Sequence, residues 1–155
     1  MFQPKEIIYG FAKGINPPHN KYMVTLYRDE NLQIIASFTT SKDRAGVAID
    51  KIRHGINYND ANQVSSYVFE KDFVIGKDPA TGKDFAFPKR TTIVFDYGIR
   101  EGSLESFERE FENAQVVCVM KDSEYVDLIY AMYKSPSTNG RHKAILDKIL
   151  QENMK

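Results

Sequence analysis

Hydrophobic and polar positions alternate with a period of two through residues 22–27, where Tyr22, Val24 and Leu26 face one way and Met23, Thr25 and Tyr27 the other. That period predicts a strand, and its residue types are β-formers. Asp29-Glu30-Asn31 then supplies a polar turn. Leu32, Ile34, Ala36 and Phe38 alternate with Gln33, Ile35, Ser37 and Thr39 to predict the return strand. In an antiparallel pair the entry His19-Asn20-Lys21 and the exit Thr39-Thr40-Ser41-Lys42 fall at the same edge. One sheet edge is therefore expected to hold a cation, an imidazole and three hydroxyls.

The same patterning predicts further strands at residues 6–12, 65–69, 73–75, 85–87, 91–95 and 114–120. Residues 14–18 read as loop, because paired prolines cannot continue a central strand. Residues 78–83 read as a tight reversal, with Pro79 early and Gly82 late. From residue 41 to 63 the periodicity fades into a long excursion with one helical turn around residues 47–53. Helices come late. Ser103 caps a short one that places Leu104, Phe107 and Phe111 on one face. A second, capped by Asp122, runs through Lys134 with Tyr125, Leu128, Ile129, Met132 and Tyr133 at helical spacing. Ser135-Pro136-Ser137 breaks it, and a last helix extends to about residue 152 with Ile145, Leu146, Ile149 and Leu150 on one side. Without βαβ alternation the fold class is mainly β with appended helices: a small barrel over about residues 6–120 and C-terminal helices over about 122–152.

A chain of 155 residues is long enough for one domain, burying roughly 70% of its unfolded surface. The single cysteine, Cys118, excludes an intramolecular disulfide and sits in an apolar run that reads as core. No apolar run is long enough to span a bilayer and the N-terminus lacks a secretion pattern, so a soluble cytoplasmic protein is expected. Charge modifies this picture in one place. The 21 basic residues balance 21 acidic ones, yet residues 101–133 carry two basic against eight acidic side chains. A neutral total argues against coating long nucleic acids and permits a small basic groove. Lys42, Arg44, Lys51, Arg53 and His54 in the long excursion are candidates to line a phosphate path.

Two ordered segments carry a family resemblance. The run Ile34-Ile35-Ala36-Ser37-Phe38-Thr39-Thr40-Ser41, after a strand entered by a basic residue, resembles the second-strand signature of PemK/MazF-like toxins of toxin–antitoxin systems. The segment from Phe87 to Arg100, then Leu104 and the helix over residues 123–133, is similar in order and spacing to that family's late strand, short helix and C-terminal helix. The resemblance covers residues 7–134 in outline. It implies an SH3-like β-barrel that acts as a homodimer and cuts single-stranded RNA with no metal or other cofactor, held in check by a small antitoxin protein. The family's basic residue falls on Lys21 and its catalytic hydroxyl on Thr39 or Thr40.

The chain departs from the family at that site. Lys21-Tyr22 stands where the family has arginine and proline, and a lysine offers a point charge rather than a phosphate-matching fork. Arg44 or Arg90 could supply the missing fork, with Ser41 and Lys42 beside the RNA. His19 could act as the acid or base near neutral pH. The alternative is a non-catalytic barrel of the same class that binds RNA or a protein partner. A metal hydrolase fits poorly, because His19, His54 and His142 share no ligand motif, and Thr81-Gly82-Lys83 lacks the rest of a phosphate loop.

Overall fold

The structure is a computed structural model that describes residues 1–42 and 45–153. In chain order the described strands are β1 (Glu6–Ala12), β2 (His19–Arg28), β3 (Gln33–Phe38), β4 (Gly55–Tyr58), β5 (Val64–Phe69), β6 (Gly76–Lys77), β7 (Asp84–Phe85), β8 (Thr91–Val94), β9 (Ile99–Ser103) and β10 (Phe111–Met120). The helices are α1 (Leu104–Glu110), α2 (Asp122–Lys134) and α3 (Gly140–Asn153), with one 3-10 turn at Ile49–Lys51. The chain is therefore mainly β with appended helices. Its strands make two antiparallel sheets, in the orders β7-β6-β10-β1-β2-β3-β9 and β4-β5-β8. Among the described residues neither sheet closes on itself. The first ends at β7 and β9, which do not pair with each other, so the closed barrel expected over residues 6–120 is not what these strands build.

The chain separates into two units. The first comprises Met1–Thr39, Val74–Phe85 and Ile99–Lys121 and holds the seven-stranded sheet. Its β2–β3 hairpin forms as the alternation predicts, and the turn chemistry is local. One carboxylate oxygen of Asp29 accepts the N–H groups of Asn31, at 2.9 Å, and Gln33, at 2.8 Å, while Leu32 takes a positive φ of 61° to reverse the chain. A bulge between Thr25 and Tyr27 adds one residue to β2. The β6–β7 hairpin turns over residues 78–83, where Gly82 adopts φ +73° and Asp78 accepts the Ala80 N–H. Ser103 caps α1 by accepting the Ser106 N–H at 3.2 Å. The core on one sheet face gathers Phe2, Ile8, Met23, Ile34, Phe38 and Phe107. Phe111, expected on the helix face, begins β10 instead and packs its ring 6.2 Å from Phe2 and 6.0 Å from Phe38.

Two strands depart from the pattern. β9, Ile99-Arg100-Glu101-Gly102-Ser103, carries charge because it is an edge strand bonded only to β3, and edge strands tolerate charged side chains. β4 belongs to the second unit, which comprises Thr40–Phe73, Ala86–Gly98 and the stretch from Asp122. There Asn57, a turn former by composition, is buried within β4. Its amide donates to the carbonyls of Arg53 and Gly55 and its oxygen accepts the Arg53 N–H, so the turn is built by the side chain and the backbone stays free to pair with β5. α2 packs on β4, β5 and α3. The apolar side of α3, with Leu146 and Ile149 buried, is thus matched to a helix of its own chain.

Candidate functional site

The register of β1 and β2 decides which side chains meet at the entry of the hairpin. Ala12 pairs with His19, Gly10 with Lys21 and Ile8 with Met23, so His19, Lys21 and Met23 share the core-bearing face of the first sheet. At the far end of β3 the chain returns beside them. The Lys21 Nζ donates to the Thr39 carbonyl at 2.7 Å, and the Thr39 N–H donates to the Tyr22 carbonyl at 3.2 Å. Of the residues expected at that edge, Lys21 and Thr39 meet. Its chemistry is more closed than expected, because Thr39 is only 5% exposed and its hydroxyl donates to the Tyr22 carbonyl at 3.4 Å. His19 is exposed, and its Nδ1 donates to the Pro17 carbonyl at 2.6 Å. That bond assigns the proton to Nδ1 and leaves Nε2 as the acceptor in the neutral ring.

Those of the remaining predicted site residues that are described lie in the second unit. Thr40 exchanges backbone hydrogen bonds with Thr92, at 2.9 and 2.8 Å, and its hydroxyl accepts the Lys42 N–H at 3.2 Å. Ser41 and Lys42 are exposed, and Arg44 lies outside the described residues. Arg90 is engaged by a carboxylate. Its Nε donates to both oxygens of Glu70 at 3.1 Å, and a terminal nitrogen stands 3.0 Å from one of them. The fork that would grip a phosphate grips Glu70, and the guanidinium holds that carboxyl below the usual carboxylate range.

Lys51 and Arg53 line a hollow of about 440 Å³ together with Asp50, Asp60 and Tyr58. Two carboxylates offset the two cations there, so this part of the predicted phosphate path is not a basic groove. His54 belongs to a different arrangement. The Glu70 N–H donates to its Nδ1 at 3.0 Å, which requires the proton to sit on Nε2, and Nε2 donates to the carboxylate of Glu124. The other oxygen of Glu124 accepts from the Tyr67 hydroxyl. Glu124 is buried in the first turn of α2, where a carboxylate also suits the helix dipole. Burial and the Glu124 carboxylate push the Tyr67 phenol far above its ordinary value, so it stays a donor. The imidazole stacks on Phe73, with ring centroids 3.9 Å apart and planes 23° apart. With both ring nitrogens committed, His54 braces β5 against α2.

The sequence carried no sign of this network. Glu124 reads as an ordinary first-turn acid, and only the fold brings it to a histidine 70 positions earlier. Among the described residues no three His, Cys, Asp or Glu side chains converge as metal ligands, and no helix is long and apolar enough to cross a membrane.

Compared with known proteins, the chain matches no family model, no curated protein and no solved structure.

Proposed function

We propose that the chain is a metal-independent endoribonuclease of the toxin–antitoxin kind, acting on single-stranded RNA. The contact between the Lys21 ammonium and the Thr39 carbonyl carries this reading, because it holds a cation beside one of the two threonines, Thr39 or Thr40, on which the resemblance puts the catalytic hydroxyl. On this reading the RNA 2′-oxygen forms a bond to phosphorus and the bond to the 5′-oxygen breaks. The 2′-hydroxyl proton passes to a base and a proton returns to the 5′-oxygen, leaving a cyclic phosphate and a 5′-hydroxyl. Lys21 supplies charge for the crowded phosphorane. The exposed His19 supplies the proton acceptor, and Thr39 supplies the hydroxyl. The mainly β chain is then a divergent relative of the SH3-like barrel proteins, and a homodimer neutralised by an antitoxin completes the assembly.

The test is incubation of the protein with a long unstructured RNA and its DNA counterpart in excess chelator, beside Lys21→Ala, Thr39→Ala and Thr40→Ala. RNA-only cleavage that is lost in Lys21→Ala and in one threonine variant supports the reading. Activity retained in all three variants sinks it.

A second reading, a non-catalytic module that binds RNA or a protein, is favoured by the burial of Thr39 and the bond from its hydroxyl to Tyr22. Folded protein that binds RNA and yields no product on long incubation selects this second reading.

A further inference from the structure

A cleft of about 250 Å³ opens in the first unit. Its floor is apolar: Met23, Phe38 and Phe107 are 1%, 8% and 5% exposed. Its rim is charged, with Arg100, Glu101 and Glu110. The Arg100 guanidinium carbon stands 5.4 Å from the centroid of the Phe38 ring. Both carboxylates are held in place. Glu110 accepts the Gly14 N–H at 3.0 Å, and Glu101 accepts from the Gln33 amide at 3.3 Å. A Cβ at Gly14 would stand 2.5 Å from the Glu110 oxygen, so a side chain there would displace that carboxylate.

Two residues of the cleft, Met23 and Phe38, are strand neighbours of the Lys21–Thr39 contact. Met23 lies two positions along β2 from Lys21 on the same face, a step of about 7 Å, and it pairs directly with Phe38, the neighbour of Thr39. A group whose phosphate rests against Lys21 therefore has its next substituent delivered over Met23 and Phe38. The volume suits one planar ring system better than a whole nucleotide or a drug-sized ligand.

We propose that this cleft is a base-reading subsite for a nucleobase that carries an exocyclic amino group, cytosine, adenine or guanine, in preference to uracil. The inference rests on the RNA-cleaving reading and names what that site selects. The Arg100 guanidinium, itself backed by the Phe38 ring, offers a planar surface on which a base stacks. Ionised carboxylates only accept hydrogen bonds, so Glu101 and Glu110 reward an amino edge and repel a carbonyl edge. Uracil carries no amino group, and its one Watson–Crick donor, N3–H, lies between carbonyls at O2 and O4 that the carboxylates repel. Discrimination of about tenfold is the scale of one such polar match.

The probes are 2′-O-methyl pentanucleotides of C, of A and of U, which present ribose-like backbones without a nucleophile, so binding is read apart from cleavage. Binding is followed by fluorescence anisotropy with the full chain, with Lys21→Ala, and with Glu101→Gln and Glu110→Gln, each checked for an intact thermal transition. We expect the C and A oligonucleotides to bind about tenfold more tightly than U. Either glutamine variant is expected to narrow that gap, and Lys21→Ala to weaken all three alike. Equal affinities for C, A and U in the unaltered protein overturn the inference, as does failure of all three to bind. Competition by an acetylated arginine amide against an indifferent set of oligonucleotides overturns it in favour of a cationic protein side chain. A clear base preference without cleavage of unmodified RNA leaves the subsite standing and removes only the nuclease reading.

Discussion

His54 donates through Nε2 to the buried carboxylate of Glu124, joining the approach to β4 with the first turn of α2. The same carboxylate accepts from Tyr67 on β5, so one anion ties a loop, a strand and a helix of the second unit. Removing it strands two donors in a site with little access to water. Glu124→Ala is expected to cost about 3 kcal/mol, at the upper end for groups left without a partner. Urea unfolding measures this directly, and a loss below about 0.5 kcal/mol would contradict the bracing role. Tyr67→Phe removes one donor while His54 keeps its bond to the other oxygen of Glu124, so it should cost less.

The Glu70–Arg90 pair makes a pH-dependent contribution whose sign is fixed. Arg90 lowers the Glu70 carboxyl below its ordinary 4.5 in the folded protein, so the folded state binds that proton less readily than the unfolded chain. The stabilisation is present above about pH 4.5 and drains away as pH falls through the lower folded value. Melting temperatures of the protein and of Arg90→Ala should differ at pH 7 and converge as pH falls below about 4.5. A gap that stays constant over that range would show that the pair acts through packing instead.

Cys118 is fully buried in β10, and burial, with the nearby Asp78 carboxylate adding to it, pushes its thiol up to about 12. At pH 8 the folded protein should therefore resist a disulfide-exchange reagent. Modification should track unfolding as denaturant is raised. Rapid labelling of the folded protein would place the thiol at a surface that opens readily.

Gly76 pairs with Met120 where β6 meets β10, and a Cβ at that position would stand 2.2 Å from the Val119 carbonyl and 2.7 Å from the Cys118 sulfur. Gly76→Ala must shift backbone and should destabilise by about 3 kcal/mol. Gly82→Ala meets no atom within 4 Å and pays only for its φ of +73°, so it should cost about 1 kcal/mol. Thermal denaturation of the two variants side by side tests the contrast.

Much of the local architecture was legible in the residues themselves. The β2–β3 alternation, the Asp29 turn, the Ser103 cap and the apolar stripe of α2 each act within a few residues, and each reappears in the structure. The contact of Lys21 with Thr39 followed from the hairpin register. Strands β4 and β9 were hidden, because a side-chain-bonded Asn57 and a charged edge strand look like loop to any rule based on composition.

What the chain's order of residues determined, then, is the β2–β3 hairpin with its turn, the cap of α1 and the apolar stripe of α2, since periodicity, turn chemistry and capping are short-range effects. Tertiary structure alone decided which strands lie side by side and whether a predicted functional group is presented or enclosed. β1 sits between β10 and β2, the Gly14 N–H finds Glu110 across 96 positions, and Thr39 closes onto Tyr22. Those pairings depend on where a distant segment returns to bury apolar surface and satisfy backbone groups, and that information belongs to no single window of sequence.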